Sequence, residues 1–456
     1  MAEIINFLYI IHAKISASID ASDVSGMPSI SVSSGKVLQG HVSCDDVFIH
    51  AAHFVPCFAS RSDYNASTAA STTIRVGTQV TSPGMRRTTR KILVNFSLFG
   101  LALLFILYLN RSGRGSRKTF DWTTIRYQTT ASKPPDAYGV CPGLATSAKA
   151  ALVVARVAAD GASNWTATLA ERYHLCIYTA DEKPKDGSTV LRIPANRAHE
   201  AIPYLTYIID NYDALPEASV FVHGSRFAWH NDHPVYDNLP LLQNLNVAAA
   251  LSSSGYHNLR CDWSASTCPP STAPQGSLET SMNAGLEPWN QRAVSDAALP
   301  SALLHLFGNG KDTRSIALGR SDAVRSQCCA QFVVARENIY QHSRDGYVAL
   351  RQWLLDDGLN SAPKDDRIAG RVVSYLWHVL FLPRKGFAPR SSAGVLEGID
   401  LNRLNDMACP SAADCYCRLY GRCDLQHCTT KESCAGQYEV PKDFKLPADW
   451  AARHGG

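Results

Sequence analysis

The chain has 456 residues, 18% of them charged, and a formal net charge of +4. Eight of its basic residues flank one apolar run, so the charge leaves no nucleic-acid footprint. Of fourteen cysteines, twelve follow residue 110, a density that suits an oxidising compartment better than a reducing one.

Residues 1–84 read as a disordered extension. Ile4–Ile11 is apolar but too short to span a bilayer, and no basic stretch precedes it. Residues 16–84 are rich in Ser, Thr, Ala and Val without a helical period. Met85 opens a short basic cytosolic flank over 85–91, in the manner of a short-tailed signal anchor, which makes Met85 an expected alternative start of translation. Residues 92–109 then carry no charge. At a rise of about 1.5 Å per residue they cover roughly 27 Å, one bilayer core. A buried core helix is the bland alternative, but basic clusters at both ends suit lipid headgroups better. The expected partner of 92–109 is therefore the lipid bilayer.

Four basic residues stand on each side of the run, so charge does not orient it. The cysteines and the sequon Asn164-Trp165-Thr166 favour a lumenal C-terminal part. The short span fits the thin membranes of the endoplasmic reticulum or Golgi. The expectation is a single-pass, type II membrane protein. Residues 110–148, broken by Gly113, Gly115, Pro134 and Pro135, read as a stem.

The folded domain is expected over 149–383. Ala151–Ala155 and Leu175–Thr179 read as buried strands. Ser163 is a candidate cap for a short helix to Arg172 between them. Ala198, Ala201, Ile202, Leu205, Ile208, Ile209 and Tyr212 share one helical face, with Pro203 tolerable in a first turn. Ser219–His223 is a third strand. This alternation predicts an α/β fold, a mostly parallel sheet with helices on both faces. The segment 224–300 reads as irregular, with Cys261 and Cys268 close enough in sequence to bond each other. Gln331–Ala335 reads as a further strand, and Tyr347–Leu355 and Arg367–Phe381 as helices. Residues 384–456 form a small cysteine-rich tail, read as an appendage stapled by its own three disulfides, with a zinc site at Cys415, Cys417, His427 and Cys428 as the lesser alternative.

In such sheets ligands bind beyond the carboxyl ends of the strands. Those ends carry Asp160, Asp181 and His223. After His223 come Arg226, Trp229, His230, Asp232 and His233. Imidazole and carboxylate suit a divalent metal or acid–base work near neutral pH. The bland reading is that these side chains brace a loop. On the functional reading His230 and Asp232 are catalytic. Asp181, His223, Arg226 and Trp229 bind ligand, and His223, His230 and His233 hold a metal. Asp210 and Asp213 read as turn and cap residues. The vicinal Cys328-Cys329 reads as two thiols bonded to other cysteines, because neighbours rarely bond each other. There is no GxSxG, HExxH, Walker loop or GxGxxG after the first strand, which makes serine hydrolase, metzincin-type protease, P-loop and Rossmann dehydrogenase readings unattractive.

Several blocks, in order, resemble one family. They are Asp210-Asn-Tyr-Asp-Ala-Leu-Pro216, Val220-Phe-Val-His-Gly224, Trp229-His230, Tyr256-His-Asn-Leu-Arg-Cys261, Cys328-Cys-Ala-Gln-Phe332 with Arg336-Glu337, and Tyr375-Leu-Trp-His378. They resemble the fungal domain of unknown function 3431, over roughly 150–383. That family pattern has an acidic residue before its last block, where this chain has Ser374. The wider layout resembles a GT-A glycosyltransferase, with a short tail, signal anchor, stem and lumenal α/β domain. That resemblance implies transfer of a sugar from a nucleotide donor to a glycan or glycoprotein, with manganese or magnesium as cofactor. Asp181 would then contact ribose, His223, His230 and Asp232 would hold diphosphate or metal, Arg226 would pair with phosphate, and Trp229 would stack on a sugar. The chain departs from it in having Val222-His223-Gly224-Ser225 where an Asp-x-Asp motif is usual. The alternatives are a metal-dependent hydrolase using the same histidines, and a catalytically inert lumenal module that binds glycans or scaffolds partners.

Overall fold

The computed structural model describes residues 87–109 and 119–434, apart from 130, 132–135, 137–138, 162, 182–189, 309–312, 383–397 and 427. The expectations for 1–84, for His427 and for the tail beyond 434 lie outside the described residues. Helix α1 (Arg87–Leu109) contains a 19-residue window, Thr89–Leu107, with none of its surface buried, long and apolar enough to cross a membrane.

The strands are β1 (Thr119–Phe120), β2 (Ala151–Arg156), β3 (His174–Thr179), β4 (Val190–Arg192), β5 (Ala218–His223), β6 (Tyr256–Asn258), β7 (Phe332–Ala335) and β8 (Ile399–Asp400). β1 and β8 form a small antiparallel pair, and the rest form one sheet in the order β4-β3-β2-β5-β7-β6. The sheet is mixed, which corrects the expectation of a mostly parallel one. β4, β3, β2 and β5 run parallel, but β7 is antiparallel to both its neighbours. An apolar run such as Gln331–Ala335 carries no sign of its direction. The direction is set by the chain's return to the edge where β5 ends.

The domain's helices are α2 (Ala201–Asp210), α3 (Asn238–Asn244), α4 (Val247–Leu251), α5 (Leu278–Leu286), α6 (Gln291–Phe307), α7 (Arg336–Ile339), α8 (Arg344–Leu355), α9 (Asp366–Ser374), α10 (Trp377–Phe381), α11 (Leu401–Ala408) and α12 (Ala412–Tyr420). Pro203 sits in the first turn of α2, where its missing N–H costs nothing. The segment 224–300 is not irregular. It holds α3, α4, β6, α5 and much of α6, and Asp237, Asn246, Ser277 and Asn290 each cap a helix start. The short crossover after β2 is a 3-10 stretch, Ser163–Leu169, and the helix expected over 367–381 breaks at Tyr375-Leu376.

Strand residues alternate between two cores. Ala151, Val153, Tyr178, Phe221 and Phe332 pack with α2, α6, α8, α9 and α10 on one face. Leu152, Val154, Val220, Val222 and Val333 pack on the other with Trp165, Leu169, Leu242 and, from α12, Cys415, Tyr416 and Leu419. The tail is therefore a structural layer of the domain over its described part, and the reading of it as an appendage is corrected. Its disulfides say the same. Cys261 bonds Cys415 and Cys268 bonds Cys409, so the expected Cys261–Cys268 bond is absent. Cys417–Cys423 and Cys428–Cys434 are local, and Cys328 bonds Cys329 after all. With Cys415, Cys417 and Cys428 oxidised, their thiolates cannot serve the alternative zinc site.

Part of the stretch read as a stem also packs into the core. Phe120 and Trp122 are fully buried and stacked at 4.3 Å, and the Trp122 indole N–H donates to the Ile316 carbonyl at 3.0 Å. Cys141 bonds Cys176 on β3.

Candidate functional site

The chain leaves β2 toward β3 and β4, then crosses back to place β5 on the other side of β2. The ends of β2 and β5 thus form a topological switch point, with Ala155 paired to His223. The backbones close tightly there. A Cβ on Gly224 would lie 2.7 Å from the Arg156 Cα and 2.8 Å from an Asp160 oxygen, so only glycine fits. Asp181, at the end of β3, accepts the Ala158 N–H at 2.9 Å and so ties the β3 and β2 turns together. Burial raises the Asp160 carboxyl above its usual value, an effect opposed by the Val157 N–H it accepts and by His223 and Arg156 nearby.

A cavity of about 340 Å³ opens at this edge. It is lined by His223 and the vicinal Cys328-Cys329, by His199 and Glu200 at the start of α2, by Arg367, Arg371, Ser374 and Tyr375 on and just after α9, by Ser266, Thr267, Ser326 and Gln327, and by Trp229 and His230. Gly370 of α9 packs directly on Ala198 and His199. Arg367, Arg371 and Ser374 fall at i, i+4 and i+7, one face of a helix. The backbone is strained around this cavity. Among the described residues five non-glycines have positive φ, and His199 and Cys329 line the cavity while Ala198 and Ala330 adjoin them. Such strain concentrates at functional sites.

His223 Nε2–H donates to the Cys329 carbonyl at 2.7 Å, since a carbonyl only accepts. Nδ1 lies 4.0 Å from the Glu200 carboxylate. The His223 and His230 rings are 4.5 Å apart. Ser326 Oγ and Gln327 Oε1 are buried without a hydrogen-bond partner among the described residues.

The structure brings His223, Trp229 and His230 together at the cavity. It places four other predicted residues outside its lining. Arg226 is held by Asp237 through two bonds, at 2.9 and 2.8 Å. Asp232 is buried and accepts from the Cys261 N–H at 2.7 Å and from the Tyr416 hydroxyl at 3.0 Å. His233 is half-buried, and burial lowers its pKa below the usual histidine value. Asp181 is exposed beside the switch point. Arg226, Asp237 and Asn231 instead brace the loop that presents Trp229 and His230, with Asn231 Nδ2 donating to the Arg226 and Tyr236 carbonyls.

A three-histidine metal set does not form. Among the described residues the one group of three ligand-type side chains whose donor atoms converge is Cys141, His174 and Cys176, and its two cysteines are bonded to each other. Glu200, Arg367 and Arg371 escaped the sequence reading because each looks like an ordinary helix-terminal charge.

A family model described as a protein of unknown function, DUF3431, matches residues 152–418. The chain belongs to the DUF3431 family. No curated protein and no solved structure matches it. The DUF3431 match runs through α12, so the family unit includes the tail helix that covers the second face of the sheet. Ser374 lines the cavity of this DUF3431 domain.

Proposed function

We propose that this DUF3431 domain is a nucleotide-sugar-dependent glycosyltransferase, tethered to a secretory-pathway membrane by α1 and acting on a glycan or glycoprotein in the lumen. The observation that carries the reading is the charge plan of the cavity. Arg367 and Arg371 line it together with a single carboxylate among the described residues, Glu200. Sugar transfer from a nucleoside diphosphate needs cations for a leaving group that departs as a stable anion, so no acid is required to protonate it. Guanidinium groups pair well with phosphate. The unpartnered Ser326 Oγ and Gln327 Oε1 suit sugar hydroxyls, and the half-exposed Trp229 offers a stacking face at the rim. A glycosidase would need two carboxylates, and a metal-dependent hydrolase would need converging ligands. The same pair of arginines fits a diphosphate without a divalent ion, and the histidines do not converge to hold one.

The test is a thermal-shift screen of the full chain, produced in a secretory host, against nucleotide sugars with and without manganese. A true donor at a hundredfold excess over its Kd stabilises by about 2.7 kcal/mol. Arg371→Ala is expected to weaken that donor by about 1.5–3 kcal/mol, the worth of a charge-assisted hydrogen bond. No shift with any nucleotide sugar would sink the reading. Ser374 favours one second reading, a DUF3431 member that binds its ligand without turnover. That reading predicts the same thermal shift and no product.

A further inference from the structure

We propose that Glu200 is the base of the transfer and that the reaction inverts the anomeric centre. This rests on the transferase reading above and adds the reaction's base and its stereochemical course. Among the described residues Glu200 is the one carboxylate that lines the cavity. It stands at the start of α2 with its side chain only 14% exposed, and it faces the Nδ1 side of His223. His223 is fixed from the other side by the Cys329 carbonyl, so the imidazole cannot swing away from Glu200 without losing that bond. Arg367 and Arg371 line the same cavity as Glu200, on the helix whose Gly370 packs against Ala198 and His199.

The step balances as a single displacement. The acceptor hydroxyl gives its proton to a Glu200 oxygen while the hydroxyl oxygen bonds to the anomeric carbon. The bond from that carbon to the phosphate oxygen breaks, and its electron pair stays on the diphosphate, whose charge meets Arg367 and Arg371. Glu200 then returns the proton to water. A double displacement would need an enzyme carboxylate as nucleophile in one half and a second group as acid and base, about 5 Å away. Among the described residues the cavity lining offers one carboxylate, placed to act as a base, which suits a single displacement with inversion.

The experiment uses the full chain and the donor found by the thermal shift. Proton NMR of the first-formed product of the wild type, read before mutarotation or further reaction, should show the anomer opposite to the donor's. Retention overturns the proposal. Glu200→Gln, nearly the same shape, should lower kcat by about a hundredfold to ten-thousandfold, the range for loss of a general base, while donor KM changes little. A Glu200→Gln variant with unchanged kcat overturns it as well. Because the stereochemistry is read on the wild type, a variant that fails to fold leaves the proposal fully testable. A wild type that binds no donor is failure of the transferase reading, and one that transfers with retention is failure of this inference alone.

Discussion

Asp232 joins segments that are far apart in sequence. It lies within the histidine-rich stretch, and the density of ionisable groups there suggests catalysis. In the fold its two oxygens receive the Cys261 N–H and the Tyr416 hydroxyl, linking the 229–233 loop, the chain after β6 and the tail helix α12. Asp232→Ala removes the acceptor of both bonds and is expected to cost about 2–4 kcal/mol, measured by urea unfolding. Asp232→Asn should cost less, because one acceptor oxygen remains, and saturated ligand binding should survive both. Two other buried residues set the pH response. Burial pushes His378 down to about 3 and His257 down to about 4. A histidine whose folded pKa is depressed contributes full stability above its unfolded pKa of about 6.5 and loses it as pH falls toward the folded value. Between pH 7 and pH 5 each should remove about 2 kcal/mol, and His378→Leu should flatten the stability profile over that range. His223, Trp229 and His230 were legible because they follow a recognisable strand. Arg371 was not, since nothing in its neighbourhood marks it off from an ordinary helix charge.

Elements were legible where one side of the chain had a clear period. β2, β3, β5 and α2 follow from their apolar runs to within a few residues. The reversed β7 was not, because direction depends on connections rather than composition. Helices α3 to α6 were missed although their capping residues stand in the sequence, because scattered proline and serine masked their short apolar faces. The tail was misjudged because cysteine density suggests a self-contained knot. Leu419 on α12 is fully buried against the sheet's second face. Leu419→Ala should therefore destabilise the whole domain by about 2–5 kcal/mol in one cooperative transition. A separate early transition confined to the tail would contradict this layering. Gly224→Ala should be as damaging, since its methyl would press on the Arg156 backbone at the switch point.

At the scale of the molecule, residues 110–118 separate α1 from β1, and the fold begins at Thr119 with Phe120 and Trp122 in the core. Asn164 is exposed while the neighbouring Trp165 and Thr166 are buried. If the domain is lumenal, Asn164→Gln should remove one endoglycosidase-sensitive step in gel mobility, and an unchanged pattern in a secretory host would count against lumenal orientation. Composition located the helix long and apolar enough to span a membrane. It could not locate the cavity, whose walls come from residues as far apart as 199 and 375.

The tail helix has a consequence in time. A ribosome adds about 5–20 residues per second. Cys261 and its partner Cys415 are 154 residues apart, so Cys261 emerges roughly 8–30 seconds before the thiol it must find. Throughout that interval the face formed by Leu152, Val154, Val220 and Val222 has no α12 over it. The nascent domain therefore waits with that face covered only in part, by Trp165, Leu169 and Leu242, and with Cys261 and Cys268 lacking their partners. Its yield should depend on holdase chaperones and disulfide isomerase more than on the speed of any local folding step.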